Sequence, residues 1–183
     1  NDIFHFLEIG SGYGGLIEKL NKFNIFNKYI LIDIPHNLIT TYYFLSKVYG
    51  QNKVCLVRDV QKLNKLLNTK DIKFILIPSC FYDVVKNLKG YFFFHNSGSF
   101  SEMDRATINY YIKNLPKKTM GISNLNSNTD SLNTGFHREI PIDKINMDNK
   151  FKILFEGTMV SSSTDRYKLK CYYNLNLIKK YLK

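Results

Sequence analysis

With 183 residues, 44% of them hydrophobic, and a formal net charge of +11, the chain is long enough for one domain with a sizeable core. That apolar content argues against a disordered chain, and no apolar run approaches the roughly 20 residues of a membrane helix. The charge allows nucleic acid, an anionic surface or an anionic substrate as partner. Yet the lysines are scattered through a background rich in Asn, Ile and Tyr, with no Arg-rich tract, so a nucleic-acid partner is not expected. Contact with an anionic surface stays open.

The chain opens on Asn1 and enters an apolar segment at once, with no signal-peptide pattern. It is expected to be one domain over 1–183, a fragment lacking an N-terminal part. Ile3 to Ile9 reads as a buried parallel strand, broken only by His5 and ending at glycines. Leu16, Leu20 and Phe23 give a helix from about Gly15. Tyr29 to Ile34 is a second buried strand stopped by Pro35. A helix over Leu38 to Tyr49 follows, with Asn37 as N-cap and Gly50 as its close. Lys53 to Val57 is a weak strand ending at Arg58-Asp59, and Val60 to Leu67 a short helix. Ile72 to Ile77 is a clear strand stopped by Pro78, and Phe81 to Leu88 a helical turn. Tyr91 to Phe94 is a further strand ending at His95-Asn96.

Ser101 to Asp104 places acids at a helix start, and Ile108, Tyr111, Ile112 and Leu115 supply that helix's apolar stripe up to Pro116. Met120 to Ser123 is a short strand, and Asn124 to Gly135 a polar loop. Phe151 to Met159 and Tyr167 to Tyr173 read as a late antiparallel pair. Strands alternating with helices predict an α/β fold, a Rossmann-like and mostly parallel sheet with a C-terminal antiparallel pair.

The glycines Gly10, Gly12 and Gly14 lie between a strand and a helix, the context in which a Gly-rich turn approaches a nucleoside cofactor. A dinucleotide would place its pyrophosphate at that helix start. Glu8 inside the motif suits a cationic amine better, which favours S-adenosylmethionine (SAM) over NAD. Asp33, 33 − 8 = 25 residues after Glu8, is placed to accept the ribose hydroxyls that either cofactor carries. The adenine pocket has two candidates, Asp59 or the turn Ser79-Cys80-Phe81, with the second favoured by its better strand. Cys55, Cys80 and Cys171 are odd in number and lack CxxC or Cys/His spacing, as expected of free thiols in a reducing cytoplasm. No metal is expected.

Three segments together resemble the bacterial sugar O-methyltransferase family. They are Leu7-Glu-Ile-Gly-Ser-Gly-Tyr-Gly14; Leu31-Ile-Asp-Ile-Pro35 with Tyr42-Tyr-Phe-Leu45; and His95-Asn-Ser-Gly-Ser-Phe-Ser-Glu-Met103 with Ile108 and Tyr110-Tyr111. The third is the most specific, since the family carries Asn, then Ser-Phe-x-Glu-Met, after its fourth strand. Tyr91-Phe-Phe-Phe94 departs from the Asp that more often opens that strand. The resemblance implies SAM-dependent methylation of a sugar or surface glycan.

A sugar hydroxyl has a high pKa and needs a general base or a metal. His95, at the carboxyl end of a strand, is the leading base, with a backbone-bonded structural His as the alternative. Glu102 is the second candidate, and a loop-orienting or helix-capping role fits it equally. Asn96 and Ser99 are placed to bind the methionine end of SAM or the sugar. His137, with Arg138 and Glu139 beside it, lies in a polar stretch that reaches the acceptor only if it folds over the site. His5 and His36 read as structural. Competing readings are a SAM methyltransferase of a small molecule or protein, an NAD-binding oxidoreductase, and a non-catalytic binding module.

Overall fold

The computed structural model describes residues 3–127, 142–145, 147, 149–161 and 164–179. The chain divides into two compact units, one running to Phe93 and including Pro116–Lys118, the other comprising Phe94–Leu115 and the chain from Thr119.

In the first unit, β1 (Phe4–Ile9), β2 (Lys28–Asp33), β3 (Val54–Leu56) and β4 (Phe74–Pro78) line up as β3-β4-β2-β1, followed by the start of β5 (Tyr91–Ser97). The pairs β1–β2, β2–β4 and β3–β4 are all parallel. Both faces are covered, which is why these strands read as near-continuous apolar runs rather than alternating ones. One face presents Phe6, Tyr29, Leu31, Phe74 and Leu76 to Ile17 of α1 (Gly15–Asn21) and to Leu38 and Leu45 of α2 (Pro35–Tyr49). The polar break at His5 is absorbed. The imidazole is buried against Phe92 at 5.2 Å between centroids, and burial, with Lys28 adding to it, holds its pKa down to about 4.

Two expected boundaries move. Helix α2 begins at Pro35 rather than Leu38, so Asn37 is inside it and Ile34 is the N-cap residue. Pro35 takes the first helical position, where its missing N–H costs nothing. The stretch 60–67 resolves into a 3₁₀ turn, Val60–Lys62, then α3 (Leu63–Asn68), with Asp59 accepting from Gln61 N as cap. A longer 3₁₀ segment, Ser79–Asn87, follows β4.

The second unit holds the end of β5, then β6 (Thr119–Ser127), β8 (Thr164–Asn174) and β7 (Phe151–Ser161) in that order. Both β6–β8 and β7–β8 are antiparallel, the expected late pair. Asn124 to Ser127, expected in a loop, continues β6 and pairs with β8 from Lys170 to Tyr167. The rest of that expected loop lies outside the described residues. Helix α4 (Arg105–Lys113) buries Ile108, Tyr111 and Ile112 as its stripe predicts. Its cap is Asp104, whose Oδ1 accepts from Thr107 N at 2.9 Å and whose Oδ2 accepts from Thr107 Oγ1 at 2.6 Å. Asp104→Ala is expected to cost about 1 kcal/mol in denaturant unfolding, the usual worth of such a cap.

Candidate functional site

The carboxyl edge of β1 and β2 carries the first unit's polar machinery. Side chains alternate along a strand, so Glu8 shares its face with Phe6, and Asp33 shares that same face with Leu31 and Tyr29. Glu8 is 3% exposed, and its Oε2 has no hydrogen-bond partner. Burial first, and the Asp33 carboxylate second, push its pKa up to about 8. Ser11, next to the first glycine, also has a buried hydroxyl without a partner. A buried carboxylate oxygen and a hydroxyl left unsatisfied are costly unless something polar meets them.

The glycine turn is pinned from three directions. Gly10 N donates to Ile32 O at 2.8 Å, and Gly14 N to Ser11 O at 3.0 Å. Thr41 Oγ1 of α2 donates to Gly12 O at 2.5 Å. The Asp33 carboxylate accepts from Gly12 N through Oδ2 at 2.9 Å. Its Oδ1 accepts from Ile34 N at 2.7 Å and Asn37 Nδ2 at 3.0 Å. A carboxylate offers about four acceptor positions, so Asp33 keeps one free, on Oδ2.

Gly12 and Gly14 differ in what surrounds them. Both have positive φ, +54° and +89°, but a Cβ on Gly12 meets nothing within 4 Å. On Gly14 it meets Thr41 Cγ2 at 3.1 Å. Gly14→Ala is therefore expected to cost more stability than Gly12→Ala. The left-handed backbone alone accounts for roughly 1–2 kcal/mol of each loss. Gly12→Ala should lose only that backbone share, because its Cβ meets nothing. Thermal unfolding and calorimetry on the two variants separate these expectations.

The two stretches expected near an adenine lie at different places along the sheet. Asp33 pairs in register with Pro78, so Ser79, Cys80 and Phe81 continue directly from the strand beside Asp33. Ser79 and Phe81 are half-buried and Cys80 is exposed. Asp59 instead follows β3, beyond β4 in the strand order, and is engaged by Gln61 N and by Lys62 Nζ at 3.3 Å. His36 is exposed on α2.

The second unit carries His95, Asn96, Ser99 and Glu102. Asn96 is fully buried and its amide builds the local turn: Nδ2 donates to Ser99 Oγ, and Oδ1 accepts from Phe100 N at 3.2 Å. Gly98 N donates to Leu125 O at 2.8 Å, and Ser101 Oγ to Gly98 O at 2.6 Å. Phe100, fully buried, then stacks on Tyr111 and meets Phe94 at a tilt. The segment is thus a tightly built turn. His95 is half-buried, and burial holds its pKa down to about 4 while a backbone hydrogen bond with Ser123 acts the other way. Its imidazole is neutral near pH 7. Glu102 is exposed and lies outside α4, so the capping role falls to Asp104. His137, Arg138 and Glu139 lie outside the described residues.

Sequence reasoning passed over Thr41, Asn37 as an Asp33 partner, and Ser11. Thr41 sits one helical turn after Asn37, a spacing that puts both on the side of α2 facing the glycine turn. Among the described residues no three His, Cys, Asp or Glu side chains cluster as metal ligands, and no helix is long and apolar enough to cross a membrane.

No family model matches the sequence, and neither does any curated protein. Among solved structures, the chain resembles M. capricolum TrmK in complex with S-adenosyl-homocysteine, at 15% identity and TM-score 0.60 over 96% of this chain and 64% of that one. It also resembles the methyltransferase domain of a bacterial Hen1, at 13% identity and TM-score 0.60, covering 92% of this chain and 89% of that one. Mitomycin 7-O-methyltransferase is similar at 9% identity and TM-score 0.58, covering 93% and 49%. The chain therefore spans under two thirds of the length of TrmK and about half that of the mitomycin enzyme. At these identities the likeness establishes the fold: a Rossmann-like α/β sheet, mostly parallel with a C-terminal antiparallel pair, as found in methyltransferases.

Proposed function

We propose that the protein is a SAM-dependent O-methyltransferase whose acceptor is a hydroxyl of a sugar or glycan. The observation that carries the cofactor half is Glu8, a buried carboxylate with an unpartnered oxygen beside a glycine turn. A cationic amine favours the ionised carboxylate and pairs with that oxygen, whereas a pyrophosphate would hold the group protonated and offer it no cation. The residues present fit the group. Glu8 would hold the methionine amine, the open position on Asp33 Oδ2 a ribose hydroxyl, and the Ser79–Phe81 turn the adenine. The likeness to structures named as SAM or S-adenosyl-homocysteine proteins supports the same reading.

SAM, when bound, supplies an electrophilic methyl group. The chain's own part is to fix the acceptor oxygen in line and to take its proton. His95 is proposed for that proton from its place in β5 near the carboxyl end; burial leaves its imidazole neutral near pH 7 but lowers its basicity, so the acceptor must bring it a local rise in pKa. Asn96 and Ser99 are proposed to act by building the turn that follows His95. Glu102, exposed, is left as an acceptor-facing candidate.

The glycan half rests on the His95 to Met103 segment and its resemblance to sugar O-methyltransferases. The solved neighbours include ones named for tRNA and for mitomycin methylation, so the fold alone does not choose the acceptor. Calorimetry with SAM and NAD tests the cofactor: SAM binding is expected, and NAD binding without SAM would overturn the reading. Labelled SAM offered with glycans, small metabolites, RNA and protein tests the acceptor. Transfer to any class but glycan would sink the sugar assignment and leave the cofactor reading intact.

A further inference from the structure

Charge in the first unit is segregated along the strand axis. Its carboxyl edge bears Glu8, Asp33 and Asp59. Its amino edge bears lysines at or just before the strands: Lys28 opens β2, Lys53 precedes β3, Lys73 precedes β4, Lys89 lies just before β5 and Lys118 just before β6. Tyr91 N donates to Ile3 O and Phe92 N to Lys118 O, so β5 and the entry to β6 start at that same edge.

Two depressions open there. One, of about 390 Å³, is lined by Lys86, Lys89, Lys117 and Lys118 and, among the described residues, by no carboxylate. All four lysines are exposed, and Lys118 Nζ sits 4.8 Å from the Tyr91 ring centroid. The other, of about 280 Å³, is lined by Lys53, Lys70 and Lys73, with Asp71 as its one carboxylate. Lys28 and Lys73 are spent internally: Lys28 Nζ donates to Thr69 O and Ile72 O, and Lys73 Nζ to Phe26 O and Asn24 Oδ1. Lys53 Nζ lies 3.9 Å from Asp71 Oδ1, so the positive field outward comes from Lys86, Lys89, Lys117 and Lys118 on one side and from Lys70 on the other.

Between the two lysine groups in strand order lies the turn that leads into β2, and it exposes large apolar side chains. Phe23 is 73% exposed and Ile25 61%, on either side of Asn24, which lines the second depression. The edge from β3 to β5 spans four strand spacings, about 19 Å. Among the described residues it carries no arginine, the residue favoured for bidentate phosphate recognition in nucleic acid. Exposed Phe and Ile flanked by lysines are what an anionic bilayer rewards, through insertion of the apolar groups and attraction of the cations to the headgroups.

We propose that this amino edge, with Phe23 and Ile25 flanked by the Lys86/Lys89/Lys117/Lys118 group on one side and by Lys70 on the other, docks onto an anionic lipid surface. Docking there leaves the glycine turn, at the opposite edge, open. The proposal does not depend on the cofactor or acceptor reading.

The test is co-sedimentation of the full chain with vesicles of phosphatidylcholine alone or with 30 mol% phosphatidylglycerol (about that fraction gives a strongly negative surface). Binding is expected only to the anionic vesicles and should weaken steeply with added salt. A quadruple variant, Lys86, Lys89, Lys117 and Lys118→Gln, should bind at least roughly tenfold more weakly, given the usual worth of a lysine near such a surface. A charge-matched pair, Lys117 and Lys118→Gln at the amino edge against Arg58 and Lys62→Gln at the carboxyl edge, should lose affinity in the first and keep wild-type affinity in the second. Equal losses in the two would overturn the site in favour of net charge alone. Phe23→Ser should also weaken binding, and wild-type binding by that variant would overturn the combined surface. So would tight binding of an RNA oligomer with no binding to vesicles. Circular dichroism confirms that each variant is folded; all substituted residues are exposed.

Discussion

Unfolding stability should fall as pH rises from about 5 to 8.5, and Glu8→Gln should largely remove that slope. The cause is a carboxyl group taken out of water with one oxygen unpartnered. Its pKa is raised from 4.5 to about 8 in the folded chain. A raised acid pKa means that the folded state holds the proton more tightly than the unfolded state. The favourable contribution is therefore complete below the unfolded pKa and is lost as pH climbs through the folded one. Such a shift is worth about 4–5 kcal/mol at about 1.4 kcal/mol per pH unit, as an order of magnitude. Denaturant unfolding across this pH range measures it. A slope that persists unchanged in Glu8→Gln would place the titrating group elsewhere.

The same carboxyl group links stability to the proposed cofactor. An ammonium group set against Glu8 favours the ionised form and lowers its pKa. SAM binding below pH 8 is then expected to release a proton, which calorimetry in buffers of different ionisation enthalpy detects. Glu8→Gln should weaken SAM binding by about 2–3 kcal/mol, the scale of a lost hydrogen bond to a charged group. The variant should also be the more stable protein above pH 8. A substitution that stabilises the fold while weakening the ligand is a signature that a merely structural glutamate would not give.

The glycine turn and its two acids were legible because each obeys a local rule. A buried strand, a run of glycines and a helical stripe follow one another over a few residues, and Asp33 falls at the end of the next buried strand. The parts that escaped depend on partners distant in sequence. The extension of β6 through Asn124, Asn126 and Ser127 has polar composition and no apolar alternation. It is a strand because β8 supplies its ladder, from Lys170 to Tyr167. Thr41 looks like any helical threonine until α2 is laid against the turn, where its hydroxyl reaches Gly12 O. Glu102 and Asp104 are both acids near a helix start, and only the backbone decides that Asp104 receives the Thr107 N–H. The His95 to Met103 segment was recognised as a unit. The internal work of Asn96, closing on Ser99 and Phe100, is a property of the folded turn.

Asp33→Ala should be the most damaging single change at the glycine turn, and its damage should divide between fold and ligand. The carboxylate joins three elements: Gly12 N from the turn, Ile34 N at the N-cap of α2, and Asn37 Nδ2 one turn into that helix. Helix α2 has no side-chain cap from Ile34 itself, so Asp33 satisfies a donor that would otherwise be left to water, and its charge faces the positive end of the helix. Charge-assisted bonds of this kind contribute about 1.5–3 kcal/mol each when buried, and less here because the site is half-exposed. A total loss of about 2–4 kcal/mol of stability is expected. Asp33→Asn separates the two roles. Its Oδ1 can still accept from a backbone N–H, but it presents an amide donor where the second carboxylate oxygen stood. Most of the stability should return, while SAM affinity should stay reduced by roughly tenfold or more, since the open acceptor on Oδ2 is gone. If Asp33→Asn restored stability and SAM affinity together, the carboxylate would be a clamp for the turn and the ribose contact would lie on another residue.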